Sequence, residues 1–339
     1  MSTSKLAKIL IEAGRTVKDF AEMTDSGDQQ TFTIAGGTIY SGRTGYTPEA
    51  RPSGVVTGKN MITPNATNSE VDIAAFTAYS KGVLRSVSAA TATINRPATA
   101  GYAVVNSVTM ASDGSIAIVE GTHATDSTFV ETRGAAGGPP LIPVYDVELG
   151  QVRTTISTDS VVTTDEVFQV PGDSTERADF PLFETNNTGL GESADVAAQK
   201  NAHLKFNAAL PKIHTGSVAK AVYIKYYAPT FIEQRGVDFV PAEKSHSVSS
   251  QQIYNETIAS SSESLNAGGF TAILGDGVTD TLVAEKNQVL TVKHMPNRNL
   301  APYTLTQGTI GLGRTYPVGN QNQAAVTITS ERETAEFSS

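Results

Sequence analysis

The chain has 339 residues, no cysteine, no tryptophan and a formal net charge of -9. That length suits two domains or one large β domain. The missing cysteines exclude a disulfide framework, a thiolate nucleophile and a thiolate metal site, and the acidic balance counts against a protein that grips nucleic acid phosphates. Charged residues are 17% of the chain, below the usual share of about a quarter. Ser, Thr, Asn, Gln and Gly fill the gap, giving a polar, weakly charged surface of a kind common where subunits pack closely. No stretch approaches the roughly 20 apolar residues of a membrane span, and no cleavage signal is clear near the start. The expectation is synthesis in a cytoplasm with no membrane insertion.

In chain order, Ser4 to Gly14 predicts a short amphipathic helix. Leu6, Ile9, Leu10 and Ala13 fall at helical spacing, Ser4 can cap the start and Gly14 can end it. Such a helix cannot bury its own face, so residues 1–30 read as a helix and arm that docks on the body or on a neighbouring subunit. Residues 24–65 read as loops and short strands, and the stretch 31–170 as a β-rich domain, outer or inter-subunit. Within it "NSVTMASDGSIAIVEGT" is the clearest hairpin. Asp113-Gly114 fits a two-residue turn, a register that sets Val108 opposite Val119 and Met110 opposite Ala117.

"ETRGAAGGPPLIPVYDVELGQVR", Glu131 to Arg153, raises the question of a phosphate cradle. Such a cradle needs consecutive N–H groups, usually with a lysine and a hydroxyl at a helix start. Gly134, Gly137 and Gly138 instead lead into Pro139 and Pro140, which have no N–H, so a tight structural loop is expected. Residues 171–204 are polar and turn-rich and read as a junction. Residues 205–339 return to short runs rich in Val, Ile, Thr and Tyr. Asp280 can cap a short helix near 280–287. In "APYTLTQGTIGLG" the apolar phase shifts from Tyr303 and Leu305 to Ile310 and Leu312, which predicts a bulge or bend at Gly308. The outline is an all-β body with one small helix.

No motif carries chemistry. His123, His203, His214, His246 and His294 form no i, i+4 zinc pair and read as isolated surface or loop residues. "GESAD" at Gly191–Asp195 lacks the final glycine of a nucleophile elbow. "GLGRTY" lacks the third glycine of a dinucleotide loop, and "DSGD" and "DGVTD" are too short for an EF-hand loop. The expectation is a protein that is not an enzyme and holds no cofactor or metal. A β-rich, Cys-free, acidic chain with a terminal apolar helix suits a subunit of a self-assembled shell or tube, where neighbours close the sheet edges.

"ETRGAAGGPPLIPV" and "ELGQVR" resemble a segment of the major tail tube proteins of long-tailed bacteriophages, the siphoviruses and in particular the flagellotropic Chi-like phages. So do "SGRTGYTPEARPSGVVTGKNMITP", "DIAAFTAYSKGVL", "TERADFPLFE", "FVPAEKSHSVSSQQIY", "FTAILGDGVTDTLVAEKN" and "TLTQGTIGLGRTYPVGNQNQAAVTITSE". The resemblance touches most of the chain. It implies a β-sandwich or barrel-type tube core with one short flanking helix, best matched by residues from about Lys205 to Ser330, with additional β structure in the N-terminal half. It also implies stacked rings of six-fold character in a virion tail, around a lumen through which DNA passes without specific binding. The implied partners are the chain itself, a tail tip or initiator, a tape measure and a tail terminator protein.

A conduit must repel phosphate rather than hold it, so carboxylates suit its wall. Glu256 and Glu263 are the lumen candidates; they flank what reads as a Ser-rich turn between two strand-like runs. Leu6, Ile9 and Leu10 are the candidates for an inter-subunit arm. The alternative is a decoration or tail fibre-associated protein that binds a host-surface glycan through exposed aromatics. Tyr223, Tyr226 and Tyr227 form the one dense aromatic cluster, and they read as core or interface.

Overall fold

The computed structural model describes residues 7–34, 39–58, 60–169, 176–179, 182–186, 202–254, 256–300 and 302–337. Strand accounts for 52% and helix for 3%, as the mainly-β reading expects. In chain order the strands are β1 (Lys8–Glu22), β2 (Thr24–Asp25), β3 (Thr31–Thr33), β4 (Glu49–Pro52), β5 (Gly54–Thr57), β6 (Ile62–Pro64), β7 (Glu70–Ile73), β8 (Phe76–Ser80) and β9 (Val83–Val87). Then come β10 (Ala90–Thr93), β11 (Val104–Met110), β12 (Ile116–Glu120), β13 (Val147–Thr154), β14 (Val167–Gln169), β15 (Phe183–Asn186), β16 (His203–Phe206) and β17 (Val222–Gln234). The last are β18 (Gly236–Val240), β19 (Lys244–Ile253), β20 (Glu256–Leu265), β21 (Gly268–Ile273), β22 (Val289–Met295), β23 (Tyr303–Thr315), β24 (Gln323–Thr329) and β25 (Ala335–Phe337).

Three large hydrophobic cores and one small cluster, Leu305 with Ala335 and Phe337, organise the described strands. The largest sheet runs β18-β21-β24-β23-β22-β1-β17-β4, with β25 also on β23. It buries Ile9, Ile11, Phe270, Leu290, Val292, Ile310, Val326 and Ile328. A single α-helical turn, Thr281–Ala284, adds Leu282 to this core. A second core, with Met61, Val71, Phe76, Val108, Met110 and Leu149, is enclosed by the sheets β10-β7-β6, β12-β11-β13-β14 and β5-β8-β9. A third, with Phe32, Tyr40, Leu204, Phe206, Ile224 and Tyr226, lies under β15-β16-β3-β2. The large sheet therefore takes strands from both ends of the chain: β1 and β4 pair with β17. The second core is built from residues between Val55 and Val162.

Several expectations are corrected. Residues from Lys8 onward do not form a helix; they are the fifteen-residue strand β1, paired with β17 on one side and β22 on the other. The apolar spacing fits both periods, and the buried pair Ile9 and Ile11, 2% and 0% exposed, follows the period of two. A helix could not occupy that place between two hydrogen-bonded strands. Gly14 lies beside a register slip rather than at a helix stop. The arm reading fails for Ile9, which is packed in its own sheet. Leu10 is half-buried in the same strand, and Leu6 lies outside the described residues.

The β11–β12 hairpin exists, but its register is one residue off the expectation: Val108 faces Ile118 and Met110 faces Ile116. The loop is Ser112-Asp113-Gly114, closed by the Ala111 N–H donating to the Ser115 carbonyl at 2.8 Å. Gly114 has φ 95, the form of a three-residue loop that ends in a left-handed glycine. β23 passes Gly308 without a register slip against β22, so β23 itself carries no bulge; on its other edge the partner changes there from β25, whose pairing ends opposite Leu305, to β24, whose pairing begins opposite Thr309. The phase changes because Leu305 packs with Ala335 and Phe337, while Ile310 joins the large core. A Cβ at Gly308 would lie 2.5 Å from the Thr329 carbonyl oxygen, which is why the crossover point has no side chain.

Within the 131–153 loop, the Gly134, Gly137 and Gly138 N–H groups donate to the carbonyls of Pro139, Thr122 and Ala135. They are not free to face an anion, as the structural reading expects. Two histidines depart from the surface reading: His203 and His214 are buried.

Candidate assembly surface

From Gly236 the chain builds one long antiparallel ribbon. Its lower part is β18 against β21, and β21 also pairs with β24, so this part belongs to the large sheet. Its upper part is β19 against β20, ten residues per arm, paired with no other strand among the described residues. At about 3.4 Å per residue the upper hairpin reaches roughly 34 Å. The step between the two parts is fastened by Glu333 and Thr334, between β24 and β25. The Ala242 N–H donates to Thr334 Oγ1 at 2.8 Å and the Lys244 N–H to Glu333 Oε1 at 3.0 Å.

The sequence explains why this hairpin stands in solvent. Alternate positions on one face are serines that pair across the strands: Ser245 with Ser264 at 3.0 Å, Ser247 with Ser262 at 2.6 Å and Ser249 with Ser260 at 2.8 Å. Hydroxyl pairs of this kind hold register, but they bury little apolar area. On the other face Val248 is 74% exposed. A two-residue turn joins Ile253 to Glu256; its Tyr254 has φ 46 and is 99% exposed. A two-stranded hairpin with no hydrophobic face is marginal in water, and both its outer edges offer unpaired backbone groups.

The two carboxylate candidates fall here. They do not flank a Ser-rich turn as expected: Ser260, Ser261 and Ser262 lie within strand β20, and the turn is at Tyr254. Glu256 opens β20 opposite Ile253, and its side chain lies outside the described ones. Glu263 is ion-paired with Lys244, opposite His246. The hydrogen bond from Lys244 holds the Glu263 carboxyl below its ordinary value, and Glu263 raises Lys244 in turn. An ion-paired carboxylate contributes less repulsion than a free one. The described faces of the hairpin are therefore near neutral and hydroxyl-rich.

At the foot of the ribbon lies an open groove of about 820 Å³, lined by Ile232 to Arg235, Ile273 to Gly275, Asp280 to Leu282 and Asn320 to Asn322. Its walls are fixed by hydrogen bonds. Asp280 accepts the Gly275 and Gly277 N–H groups at 2.8 and 2.7 Å. Arg314 and Tyr316 donate to the Gly277 carbonyl at 2.7 and 2.8 Å. Asp276 accepts the Thr279 hydroxyl and the Val278 and Thr279 N–H groups, which pull its pKa to about 2. Three apolar side chains stand exposed around this end: Val278 at 65%, Tyr316 at 51% and Val318 at 100%.

Two buried polar clusters lie elsewhere in the body. Glu12, in β1, accepts the Ser41 hydroxyl and, at 3.3 Å, the Gly42 N–H. Beside it Arg43 pairs with Glu285 at 2.9 Å. Burial pushes the Glu12 carboxyl up. In the second cluster Lys220 faces Glu176 at 3.9 Å, and Arg133 pairs with Glu148, which also accepts the Ser107 hydroxyl at 2.6 Å. His214 sits among them, its Nδ1 2.9 Å from the Pro143 carbonyl, which assigns the proton to Nδ1. Burial lowers its pKa, with help from Lys220 and Arg133. The tyrosine cluster is no open aromatic platform: Tyr223 and Tyr226 are buried, and Tyr227 packs edge-on against Tyr46.

"GESAD" lies outside the described residues. The hairpin tip and the groove rim were missed in the sequence. The legible signal was the alternation in "SHSVSSQQIYNETIASSSESL", with hydroxyls where an inward strand face needs large apolar groups. No family model, no curated protein sequence and no solved structure matches this chain.

Proposed function

We propose that this chain is a structural virion protein that self-assembles into stacked hexameric rings forming the tail tube of a long-tailed phage, a conduit for genome ejection. The observation that carries the reading is the projecting β19–β20 hairpin. It is open at both edges and marginal by itself, while its root is built into a nine-stranded sheet. Such an element gains stability when neighbouring copies pair with its edges. The sequence resemblance to tail tube proteins and the acidic net charge of -9 agree with it. A wall of hydroxyls and ion-paired side chains offers sliding DNA no row of free cations to grip.

The experiment is sedimentation velocity at increasing protein concentration, on the full chain and on a variant in which residues 245–264 are replaced by Asn-Gly. The full chain is expected to grow from single chains into ring-sized and larger species, and the shortened variant to stay a folded monomer. Equal assembly by both would remove the hairpin's role. A full chain that stays monomeric at every concentration, even with tail-tip complexes added, would overturn the reading.

A further inference from the structure

We infer that the backbone seam between the β unit of the second core and the segment leading into β17 is an acid-sensitive latch, closed around the neutral ring of His214 and released when that ring takes a proton on Nε2. The inference goes beyond the assembly reading and does not depend on it. The seam is short. The Ile142 N–H donates to the Ile213 carbonyl at 3.0 Å, and the Thr215 N–H donates to the Ile142 carbonyl at 2.9 Å, which sets Ile142 and His214 in a parallel bridge. Ile142 and Pro143 belong to the loop before β13, and Ile213 to Thr215 lie between β16 and β17. The ring adds a third bond across the same seam, from Nδ1–H to the Pro143 carbonyl at 2.9 Å. Ile142 and His214 are both fully buried.

The second ring nitrogen makes the seam sensitive. Nε2 is buried and has no hydrogen-bond partner among the described residues. A proton placed there creates a buried donor with nothing to bond, and a charge that burial penalises further. The charges around the ring are already balanced. From the β unit, Arg133 pairs with Glu148. From the other side of the seam, Lys220 faces Glu176 at 3.9 Å, and the Glu176 carbonyl accepts the Val55 N–H of β5 at 2.8 Å. A protonated His214 is therefore a third cation against two carboxylates. Burial disfavours it most; Lys220 and Arg133 act in the same direction, and the Pro143 carbonyl and Glu148 oppose them. Once the seam opens, water reaches the ring and its ordinary value of 6.5 returns. Opening thus takes up a proton below 6.5, and acid drives it by linkage. Burial raises Glu176, so its titration runs in the opposite sense, and a variant at His214 separates the two.

The test is hydrogen exchange of the full chain read by mass spectrometry, with rates corrected for the intrinsic effect of pH. Segments 140–145 and 212–217 are compared with the core strands β22 and β23. From about pH 7.5 to about pH 5.5, protection of the two seam segments is expected to fall about tenfold, the factor that uptake of one proton by an ordinary imidazole gives over that span. β22 and β23 are expected to keep their protection. His214→Asn retains an amide donor for the Pro143 carbonyl and cannot take a proton, so the fall is expected to vanish in it. No fall in the parent chain, or an equal fall in His214→Asn, would overturn the latch. An equal loss in β22 and β23 would overturn it too, since the loosening would then be general; that comparison uses the parent alone and decides the matter if His214→Asn does not fold.

Discussion

Glu12 is a carboxyl in the middle of a sheet, and its energetic sign follows from burial. Its folded pKa is above the ordinary 4.5, so the unfolded chain gives up that proton first. The stability contributed by the protonated form is complete below about the ordinary value and is lost as pH rises through the folded one. Glu12→Gln keeps a partner for Ser41 and removes the titration. Urea unfolding should show the variant gaining stability over the parent at neutral pH relative to pH 4.5; an unchanged difference would contradict this. His214 has the opposite sense: its folded pKa is below 6.5, so its contribution is present above 6.5 and is lost as pH falls. The pair of Glu176 and Lys220 belongs to the same scale. Burial raises the first and lowers the second, and each charge opposes the other's shift. Glu176→Gln or Lys220→Met alone should cost about 3–5 kcal/mol, because each leaves an uncompensated buried charge. The double variant should cost less than the sum, and additive losses in denaturant unfolding would show that the two charges do not interact.

At the scale of elements, β1 and the ribbon carry opposite burdens. β1 is central, and Ile11 is fully buried in it. Ile11→Ala should cost about 2–5 kcal/mol in the same unfolding measurement; a loss under about 1 kcal/mol would mean the site collapses around the gap. The hairpin is peripheral, so replacing residues 245–264 by Asn-Gly should leave the thermal midpoint of the body nearly unchanged while assembly is lost. A large drop in the midpoint would show that the hairpin holds the fold. These elements also show what was legible. The β11–β12 hairpin could be read because Asp113-Gly114 is a local signal, and its register could not, because one loop residue flips every side chain. The helical turn at Thr281–Ala284 could be read from Leu282 and Val283, but Asp280 does not cap it as expected: its carboxylate accepts the Gly275 and Gly277 N–H groups instead. β1 could not: Leu6, Ile9, Leu10 and Ala13 satisfy a helix, and only the partners β17 and β22, more than 200 residues away in the chain, decide for a strand. The Ser-rich stretch read as a turn because serine is frequent in turns, yet cross-strand hydroxyl pairs let it run as an exposed ribbon.

For the whole molecule, the nine-stranded sheet draws on both ends of the chain, and the second β unit is inserted between β4 and β17. Nothing local in the sequence marks the groove, since its walls come from four separate segments. The mainly-β class was legible from composition and turn spacing; the proposed assembly surface was not, because it depends on which strands remain without partners. A rooted ribbon with unpartnered edges suits the proposed stacking of identical copies. The measurement that tests this most directly is negative-stain electron microscopy of the concentrated full chain, viewed end-on and side-on. Annular end views with a central channel and regularly banded side views are expected. Solid filaments without a channel, or monomers that never join tubes even when tail-tip complexes are supplied, would contradict the tube.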